Sequence, residues 1–285
     1  MTVADASALA VTAWAFLQAL QPVSAGAELL GRGLTLKFDR AASISLPTLT
    51  PTEATFVVET ESIPNKQYAT APGALLKPYK LASLITLTSE MMTSSNAETL
   101  CRQALIDSAA PGLDRYLFDD QPAVAGLRPA GLRFGVTALT PAAAGVKDQA
   151  MVDDIVALAA AVSARAGNGQ IAFVAAPKQA IALALRSQRA IPYSVAASSV
   201  LPDGMVIAVA LPCLVSVLNP PVVDASQEAL VHMADPASAI STGGVTVTPL
   251  QSMTQTDSTS LRMKLPVTWG VRASGGVAWT QNVSW

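Results

Sequence analysis

The residues near the end of the chain alternate between apolar and polar side chains more regularly than any other segment. From Leu261 to Val271 every second residue is apolar, and Arg262, Lys264 and Thr268 lie between them. Successive side chains of a strand point to opposite faces, so this period of two predicts a strand with one face in a core. Because Pro266 has no amide hydrogen to donate to a neighbouring strand, an edge position or a bulge is expected there.

Helical and extended segments are mixed along the rest of the chain, which predicts an α+β fold. Apolar residues follow helical spacing in 4–21, 94–120 and 148–166. Pro111 removes one backbone hydrogen bond from the second of these, so a kink or a division into two helices is expected. A further helix should begin at Pro177. Strands are expected in 34–38, 56–58, from Lys80 onward, in 171–175, on both sides of the turn at 202–204, in 243–251 and from Val277.

A polar stretch with many turn-forming residues spans 52–80, between two apolar segments. It contains Pro64, Pro72 and Pro78. A compact domain rarely includes a loop of this length unless the loop is functional or bound within an assembly. We therefore expect an extended hairpin that contacts another molecule.

Charge is scarce in this chain. Charged residues make up 13% of its 285 positions, against roughly 25% in an average soluble domain. Much apolar surface must therefore be covered. The longest apolar run, 206–218, contains Pro212 and is shorter than the about 20 residues of a membrane helix, so no membrane span is expected. An obligate assembly, whose interfaces resemble a domain core, is the interpretation that we favour.

The net charge of -2 also bears on nucleic-acid binding. Proteins that hold DNA by its phosphates carry an excess of lysine and arginine, which this chain does not have. If DNA is a neighbour, we expect the chain to enclose it rather than to read its sequence.

Residues that usually carry catalysis are few and scattered. The single histidine, His232, would have to serve any nucleophile–histidine mechanism, and no serine lies in a G-x-S-x-G motif. The pairs Asp119-Asp120 and Asp153-Asp154 are adjacent in sequence, and adjacent residues do not face each other on a helix. No catalytic residue is therefore predicted.

Metal-binding and phosphate-binding motifs are equally lacking in the sequence. Cys101 and Cys213 fit neither a disulfide framework nor a metal motif, so we expect buried, reduced packing residues. The segment 167–169, Gly-Asn-Gly, precedes a strand, whereas a phosphate-binding loop follows one, so it predicts a turn after a helix. No metal site and no cofactor is expected.

Three motifs occur in a fixed order: KLASLITLTSEMM (80–92) after the long excursion, LDRYLFDD (113–120) at the end of the long helix, and WGVR…VAW (269–279) near the end. Their order and spacing resemble the Hong Kong 97-type major capsid proteins of tailed phages. The resemblance covers almost the whole chain. It implies a structural protein, not an enzyme, that assembles as pentamers and hexamers into an icosahedral shell around double-stranded DNA.

The family's parts map onto this chain by the same resemblance. They are an N-terminal arm in 1–33, a peripheral-domain strand in 34–50, an extension loop in 51–80, a peripheral domain in 81–165 with a spine helix in 94–120, an axial domain in 166–255 and peripheral return strands in 256–285. The arm and the loop cannot fold on themselves, so we expect them to order only on assembly.

The resemblance also suggests partners and a location. It implies a virion protein that assembles in the host cytoplasm, with a scaffold, a portal and a cement or decoration protein as candidate partners. Some family members crosslink a lysine of the extension loop to a neighbour's asparagine, and Lys66 lies in that region. Because nothing singles out a partner asparagine or a catalytic glutamate, no crosslink is predicted.

Three alternatives stay open at this stage. A nanocompartment shell protein of the encapsulin type would share the fold and differ in its cargo. A secreted or surface adhesive protein would suit the threonine- and serine-rich segment 241–260. An enzyme of unknown type is disfavoured because the chain has one histidine and no recognisable site.

Overall fold

In the computed structural model the described residues are 13–38, 43–46, 48–49, 56, 70–71, 75–93, 96–143, 145–186, 193–231, 240–242, 245–247 and 250–285. The helices are α1 Ala13–Leu20, α2 Ala25–Arg32, α3 Ser89–Thr93, α4 Ala97–Leu117, α5 Lys147–Ser163 and α6 Pro177–Arg186. The strands are β1 Leu34–Leu36, β2 Ile44–Ser45, β3 Thr48–Leu49, β4 Thr70–Ala71, β5 Leu75–Leu76, β6 Lys80–Thr88, β7 Ile171–Ala175, β8 Ser194–Ala197, β9 Val206–Ala210, β10 Leu214–Leu218, β11 Val222–Ser226, β12 Leu230–Val231, β13 Ile240–Thr242, β14 Val245–Val247, β15 Gln251–Ser252, β16 Ser258–Val271 and β17 Val277–Thr280.

Two sheets organise the described residues. The first, which we call the long sheet, has β16 at its centre. Strands β10 and β11 pair with successive parts of one side of β16, β6 pairs with the other side, and β1 pairs with β10. The second, the axial sheet, has the order β17-β9-β7-β8. The pairs β1–β10 and β7–β8 are parallel, and the other pairs in these two sheets are antiparallel. Helices and strands are thus combined in one α+β fold.

The predicted terminal strand forms, as β16, and lies at the centre of the long sheet. Its odd-numbered residues from Leu261 to Trp269 are buried, whereas Arg262 is exposed, as the alternation predicts. The alternation ends at Thr268, which is 1% exposed because its cross-strand partner Val217 belongs to a second apolar cluster on that face. The second face of this strand is therefore open at Arg262 and covered both at Thr268 and at Ser258 and Ser260 near its start.

The edge position expected for Pro266 is wrong, since β16 has neighbours on both sides. Pro266 lies where the partner on one side changes from β10 to β11, opposite Asn219. Its carbonyl accepts a hydrogen bond from the Asn219 amide, and the next amide, Val267, points the other way, to Tyr79. The proline nitrogen therefore faces the gap between two partner strands, where no amide hydrogen is needed.

The axial sheet is covered on both faces. All residues of β7 and of β9 are buried. Phe173 and Ala175 face the core formed with α5 and α6, whereas Ala172 and Val174 face the core formed with α1, α2 and α4. A sheet between two helical layers has no polar face, which explains why β7 is an apolar run in the sequence.

The predicted spine helix is a single helix, α4, which runs through Pro111 without interruption. The division into two helices is therefore wrong. Pro111 lies on the exposed side of α4, so the carbonyl group that it leaves without a helical partner can be hydrated. The helix ends three residues before the predicted boundary at 120, and the short helix α3 precedes it.

The described part of the predicted N-terminal arm packs on its own chain. Leu17, Leu20, Leu29 and Leu30 are at most 2% exposed and belong to the main core. Helix α1 agrees with the predicted helix in 4–21, but α2 was not predicted. The expectation that the whole segment 1–33 orders only on assembly is thus wrong for α1 and α2, because their apolar faces contact α4. Residues 1–12 lie outside the described part.

Sheet membership crosses the predicted domain boundary at 255. Strands β10 and β11 come from the predicted axial domain, yet they pair with β16 in the long sheet. Strand β17 comes from the predicted return strands, yet it pairs with β9 in the axial sheet. The long strand β16 and the following turn carry the chain from one sheet to the other, so a division by sequence intervals does not follow the sheets.

Candidate assembly surfaces

The described residues contain no group of three or more His, Cys, Asp or Glu that could hold a metal ion. Among the same residues, no helix is long and apolar enough to cross a membrane. His232 and Lys66 lie outside the described residues. The remaining candidates from the sequence are the two carboxylate pairs and the two cysteines.

Asp119 and Asp120 do not form a proton-sharing pair. The Asp119 carboxylate accepts a hydrogen bond of 2.8 Å from the Arg128 guanidinium, while Asp120 is exposed. Partial burial raises the pKa of Asp119, but hydrogen bonds from Arg128 and Asp120 and the Arg128 charge outweigh it, so the pKa lies below its ordinary value. This ion pair holds the loop after α4 against the helix end.

Asp153 and Asp154 point in different directions from α5. Asp154 is 4% exposed and accepts hydrogen bonds from the Trp285 indole at 2.8 Å and the Ala142 amide at 2.7 Å. Asp153 is exposed and accepts from the Gln149 side-chain amide. The pair thus has one structural and one surface carboxylate, as expected for adjacent helix residues.

Both cysteines are buried and free, as predicted. Burial raises the pKa of each thiol, and at Cys213 it does so against the opposing charges of Arg165 and Arg272. A thiol that stays protonated and buried is a poor nucleophile, so the two side chains serve packing.

The predicted excursion begins and ends in a hairpin stem. Strand β2 pairs with β5 and β3 pairs with β4, both antiparallel, with Ile44 opposite Leu76 and Leu49 opposite Thr70. The stem starts at residue 44, seven residues before the predicted boundary at 51. Except for Phe56, residues 50–69 lie outside the described part, as does most of the predicted strand at 56–58.

The base of this stem is anchored on the long sheet. Leu46 and Leu76 pack against Val215 and Val217 of β10 and cover the second face of that sheet. Lys77 and Lys80, just beyond the stem, are exposed. The fold therefore fixes the root of the hairpin on the long sheet.

A buried carboxylate joins three parts of the chain; we call it the Asp114 cluster. Asp114, on α4, is 3% exposed. It accepts hydrogen bonds from the Ser24 hydroxyl, from the Gly26 amide at 2.9 Å and from the Ser198 hydroxyl at 2.6 Å. The sequence carried a signal that was missed, since Asp114 falls on the same helical stripe as the buried Ala110 and Leu117.

The start of α2 depends on the same cluster. Ser24 caps the helix by accepting from the Ala27 amide at 3.0 Å. A β-carbon at Gly26 would lie 2.8 Å from the Asp114 carboxylate oxygen, so glycine is required there by close approach. The cluster thus ties α2, α4 and the segment after β8 together.

Tryptophan side chains hold the irregular segment 121–140 in place. The Trp269 indole donates to the Ala130 carbonyl and the Trp279 indole to the Val136 carbonyl, each at 2.8 Å. Arg133 stacks over the Trp279 ring, 4.7 Å from its centroid. Strand β16 of the long sheet and strand β17 of the axial sheet thereby position the same loop.

A groove of about 570 Å³ lies between this loop, the end of β16 and the hairpin base. Tyr79, Phe134 and Trp269 line it, and none of its lining residues carries a charge. The Thr268 hydroxyl, buried at this groove, has no hydrogen-bond partner among the described residues. A groove of this kind, lined by apolar and uncharged polar side chains, suits contact with apolar groups.

Comparison with known proteins gives matches at the level of structure. No protein-family model matches the sequence, and no curated protein sequence matches it. A structure from Mycobacterium phage Bobi has 18% identity and a TM-score of 0.61, with 89% of each chain covered. The procapsid of satellite phage P4 has 9% identity and a TM-score of 0.56, over 93% of this chain and 97% of that chain. The chain has a phage capsid fold.

The capsid fold is not confined to phage structures among these matches. A virus-like particle from Pyrococcus furiosus has 9% identity and a TM-score of 0.55, covering 94% of this chain and 96% of that chain. The predicted α+β capsid fold is thereby confirmed. The division into arm, extension loop, peripheral and axial domains remains a prediction.

Proposed function

We propose that this chain is a major capsid protein that assembles with copies of itself, as pentamers and hexamers, into an icosahedral shell around double-stranded DNA. Its role is structural, and its place is the virion after assembly in the host cytoplasm. The observation that carries the proposal is the likeness of nearly the whole chain, 93%, to a procapsid subunit. Scaffold, portal and cement or decoration proteins are the further partners of this proposal.

The architecture supports the proposal independently of the comparisons. The hairpin stem is anchored at its base, and its tip segment 50–69 is long enough to reach a neighbouring molecule. The charged residues are few, and several large apolar side chains are exposed, among them Leu127, Val156 and Leu185. Few charges and exposed apolar side chains together suit a subunit that contacts its neighbours.

Electron microscopy of the purified protein tests the shell directly. We expect closed particles of uniform size, with five-coordinated and six-coordinated positions in two-dimensional averages. A protein that stays monomeric in size-exclusion chromatography under all conditions, while folded by circular dichroism, would contradict the shell and favour an adhesive role.

A deletion separates the tip of the hairpin from its stem. Because Leu49 and Thr70 face each other across the ladder, residues 50–69 can be replaced by Asn-Gly, a two-residue turn that suits an antiparallel hairpin. This change keeps β4, β5 and the first residue of β6, which deletion of the wider interval 52–80 would remove. We expect a folded subunit that forms no closed shells; normal shells from this variant would refute the role of the tip in assembly.

The contents of the shell decide between a phage capsid and a nanocompartment. The likeness to a virus-like particle keeps the second candidate in view. We expect particles from infected or induced cells to contain double-stranded DNA that resists added nuclease until the shell is opened. Particles that instead hold one defined protein and no DNA would favour the nanocompartment.

A further inference from the structure

Arg128 uses only part of its guanidinium within the subunit. This residue lies in the irregular segment after α4, and its side chain is 15% exposed. Its Nη1 atom donates to the Asp119 carboxylate at 2.8 Å, and its guanidinium carbon lies 5.5 Å from the centre of the Tyr116 ring. The Nε and Nη2 atoms are buried, and neither has a hydrogen-bond partner among the described residues. Two donors of a charged group are thus withdrawn from bulk water, which costs free energy unless an acceptor binds them.

The Nε and Nη2 atoms form one edge of the planar guanidinium. The N–H bonds along this edge are parallel, and their spacing matches the two oxygen atoms of a carboxylate. The same edge binds a carboxylate elsewhere in this chain, since Nε and Nη2 of Arg262 both donate to Asp224, at 3.2 and 2.8 Å. Because Arg128 holds Asp119 through Nη1, its corresponding edge is left whole for a second acceptor.

Arg128 lines a cavity of about 290 Å³ that α4, the loop after it, and strands β6 and β16 enclose. This volume is near the lower limit of small-molecule sites, which measure about 300–1,000 Å³. It therefore suits a small group or a single side chain. Neither Asp nor Glu is among the lining residues, and Lys80, which is exposed, is the second basic residue of the lining.

The charges around this cavity leave a positive excess. Arg128 and Lys80 carry one positive charge each, and Asp119 balances one of them. A group with a single negative charge would balance the other, whereas a doubly charged phosphate would exceed it. Leu113 and Leu127 belong to the apolar wall of the cavity. Apolar surroundings strengthen the attraction between charges, and they also suit the apolar part of a ligand.

We propose that this cavity binds a carboxylate group that is carried on an apolar stem. Nε and Nη2 of Arg128 donate to the carboxylate oxygens, Lys80 supplies the balancing charge, and the stem lies against the apolar wall. The site is built from residues of one subunit, so it does not depend on the proposed function. Two sources have this chemistry: a free organic acid, and an acidic side chain of another protein molecule.

Titration of unassembled subunits with propionate tests the site, because propionate has one negative charge and a short apolar stem. The Nε–H signal of Arg128 in NMR spectra should shift and saturate with propionate, whereas chloride at the same ionic strength should leave it in place. Bound propionate should also raise the Tm of the subunit. Arg128→Lys keeps a positive charge beside Asp119 but has no such edge, so it should weaken propionate binding about tenfold or more.

Arg262→Lys is the matched control, because it removes the same kind of edge at a residue outside the cavity. Its Tm should respond to propionate as that of the wild type does. No saturable response in the wild type would overturn the site and leave water as the partner of Arg128. An equal response in Arg128→Lys would also overturn it. If Arg128→Lys does not fold, Lys80→Gln should weaken propionate binding about threefold, as expected for a partly exposed charge, and unchanged binding would contradict the proposal.

Assembled particles distinguish the two sources of the carboxylate. If an acidic side chain of another protein molecule fills the cavity in the particle, propionate should bind subunits and not particles. If the ligand is a free acid, propionate should bind both alike. Both outcomes support the site and assign its ligand. A wild-type chain that forms no particles would refute the proposed function and leave the binding to subunits unaffected.

Discussion

The long sheet and the axial sheet are built from similar apolar residues, yet they differ in what covers them. In the axial sheet, β7 and β9 are buried at every residue, because helices lie on both faces. In the long sheet, β6 alternates between exposed and partly buried residues, because α4 covers one face only. The second face of the long sheet is covered near the hairpin base and, on β16, at Ser258 and Ser260.

This difference determines how each sheet can take part in an assembly. The long sheet can present its own side chains, such as Leu84 and Arg262, to a neighbour. The axial sheet has no free face, so it can meet a neighbour only through the helices that cover it. Substitutions in the axial sheet should therefore affect folding, whereas substitutions on the exposed face of the long sheet should affect assembly.

The largest expected effect comes from truncating the axial sheet. Phe173→Ala removes a ring that is fully buried and packs edge-on against Tyr193 at 5.7 Å, so unfolding should become easier by about 3–5 kcal/mol. Leu84→Ala, on the open face of the long sheet at 49% exposure, should cost about 0.5 kcal/mol. Urea denaturation of unassembled subunits measures both. Equal losses would mean that the two sheets are equally covered within one subunit.

An intermediate effect is expected where the two regions are joined. Asp114→Ala leaves the Ser24 hydroxyl, the Gly26 amide and the Ser198 hydroxyl without their shared acceptor, and it should destabilise the subunit by about 3 kcal/mol. Asp114→Asn keeps one acceptor and should lose less. Hydrogen exchange, compared between β8 and β6, would show whether the loss reaches the axial sheet first. An Ala variant as stable as the wild type would contradict the role of the cluster.

Smaller effects than at Asp114 are expected at ion pairs near the surface. Asp119 has a lowered pKa, so its pairing with Arg128 stabilises the fold above the unfolded-state pKa, and this contribution is lost as pH falls through the folded-state pKa. Asp119→Asn should cost about 1 kcal/mol at neutral pH and flatten the acid side of the stability profile. Hydrogen bonds from Arg262 lower the pKa of Asp224, but this pair is more exposed.

Asp224→Asn therefore serves as the control for that measurement. Exposed ion pairs contribute little because water and salt screen them. Urea denaturation at a series of pH values measures the stability of both variants. The stability lost at neutral pH should be larger for Asp119→Asn than for Asp224→Asn, because the Asp119 pair is the more buried one. A larger loss at Asp224 than at Asp119 would show that burial does not rank them.

The two sheets also differ in how much of them the sequence reveals. Strand β16 is visible as an alternation because one of its faces is polar, and β7 is visible as a short apolar run bounded by Gly169 and Pro177. The partners of these strands are not visible, since the parallel pairing of β7 with β8 joins residues that are 22 positions apart in the chain. The order of the strands in each sheet therefore came only from the structure.

The misses have local physical reasons. Helix α2 was overlooked because Gly26 and Gly31 lower its helix propensity, although Gly26 is there to let Asp114 approach. A kink or a division of α4 was expected at Pro111 from propensity. The division does not occur, because packing of Ala110 and Leu113 on the core outweighs the cost of the proline. Of the candidate surfaces, the hairpin was predicted from its prolines, whereas the exposure of Val156 on α5 and Leu185 on α6 required knowledge of which side of each helix faces the sheet.

The pairing of β6 with β16 has a mechanical consequence. Nine residues of β6 face nine of β16, from Lys80 opposite Pro266 to Thr88 opposite Ser258. A pull on the hairpin enters β6 at Lys80 and runs along the strand, so the ladder is loaded in shear and many hydrogen bonds must break together. Under tension, the root of the hairpin should therefore resist being drawn out of the subunit.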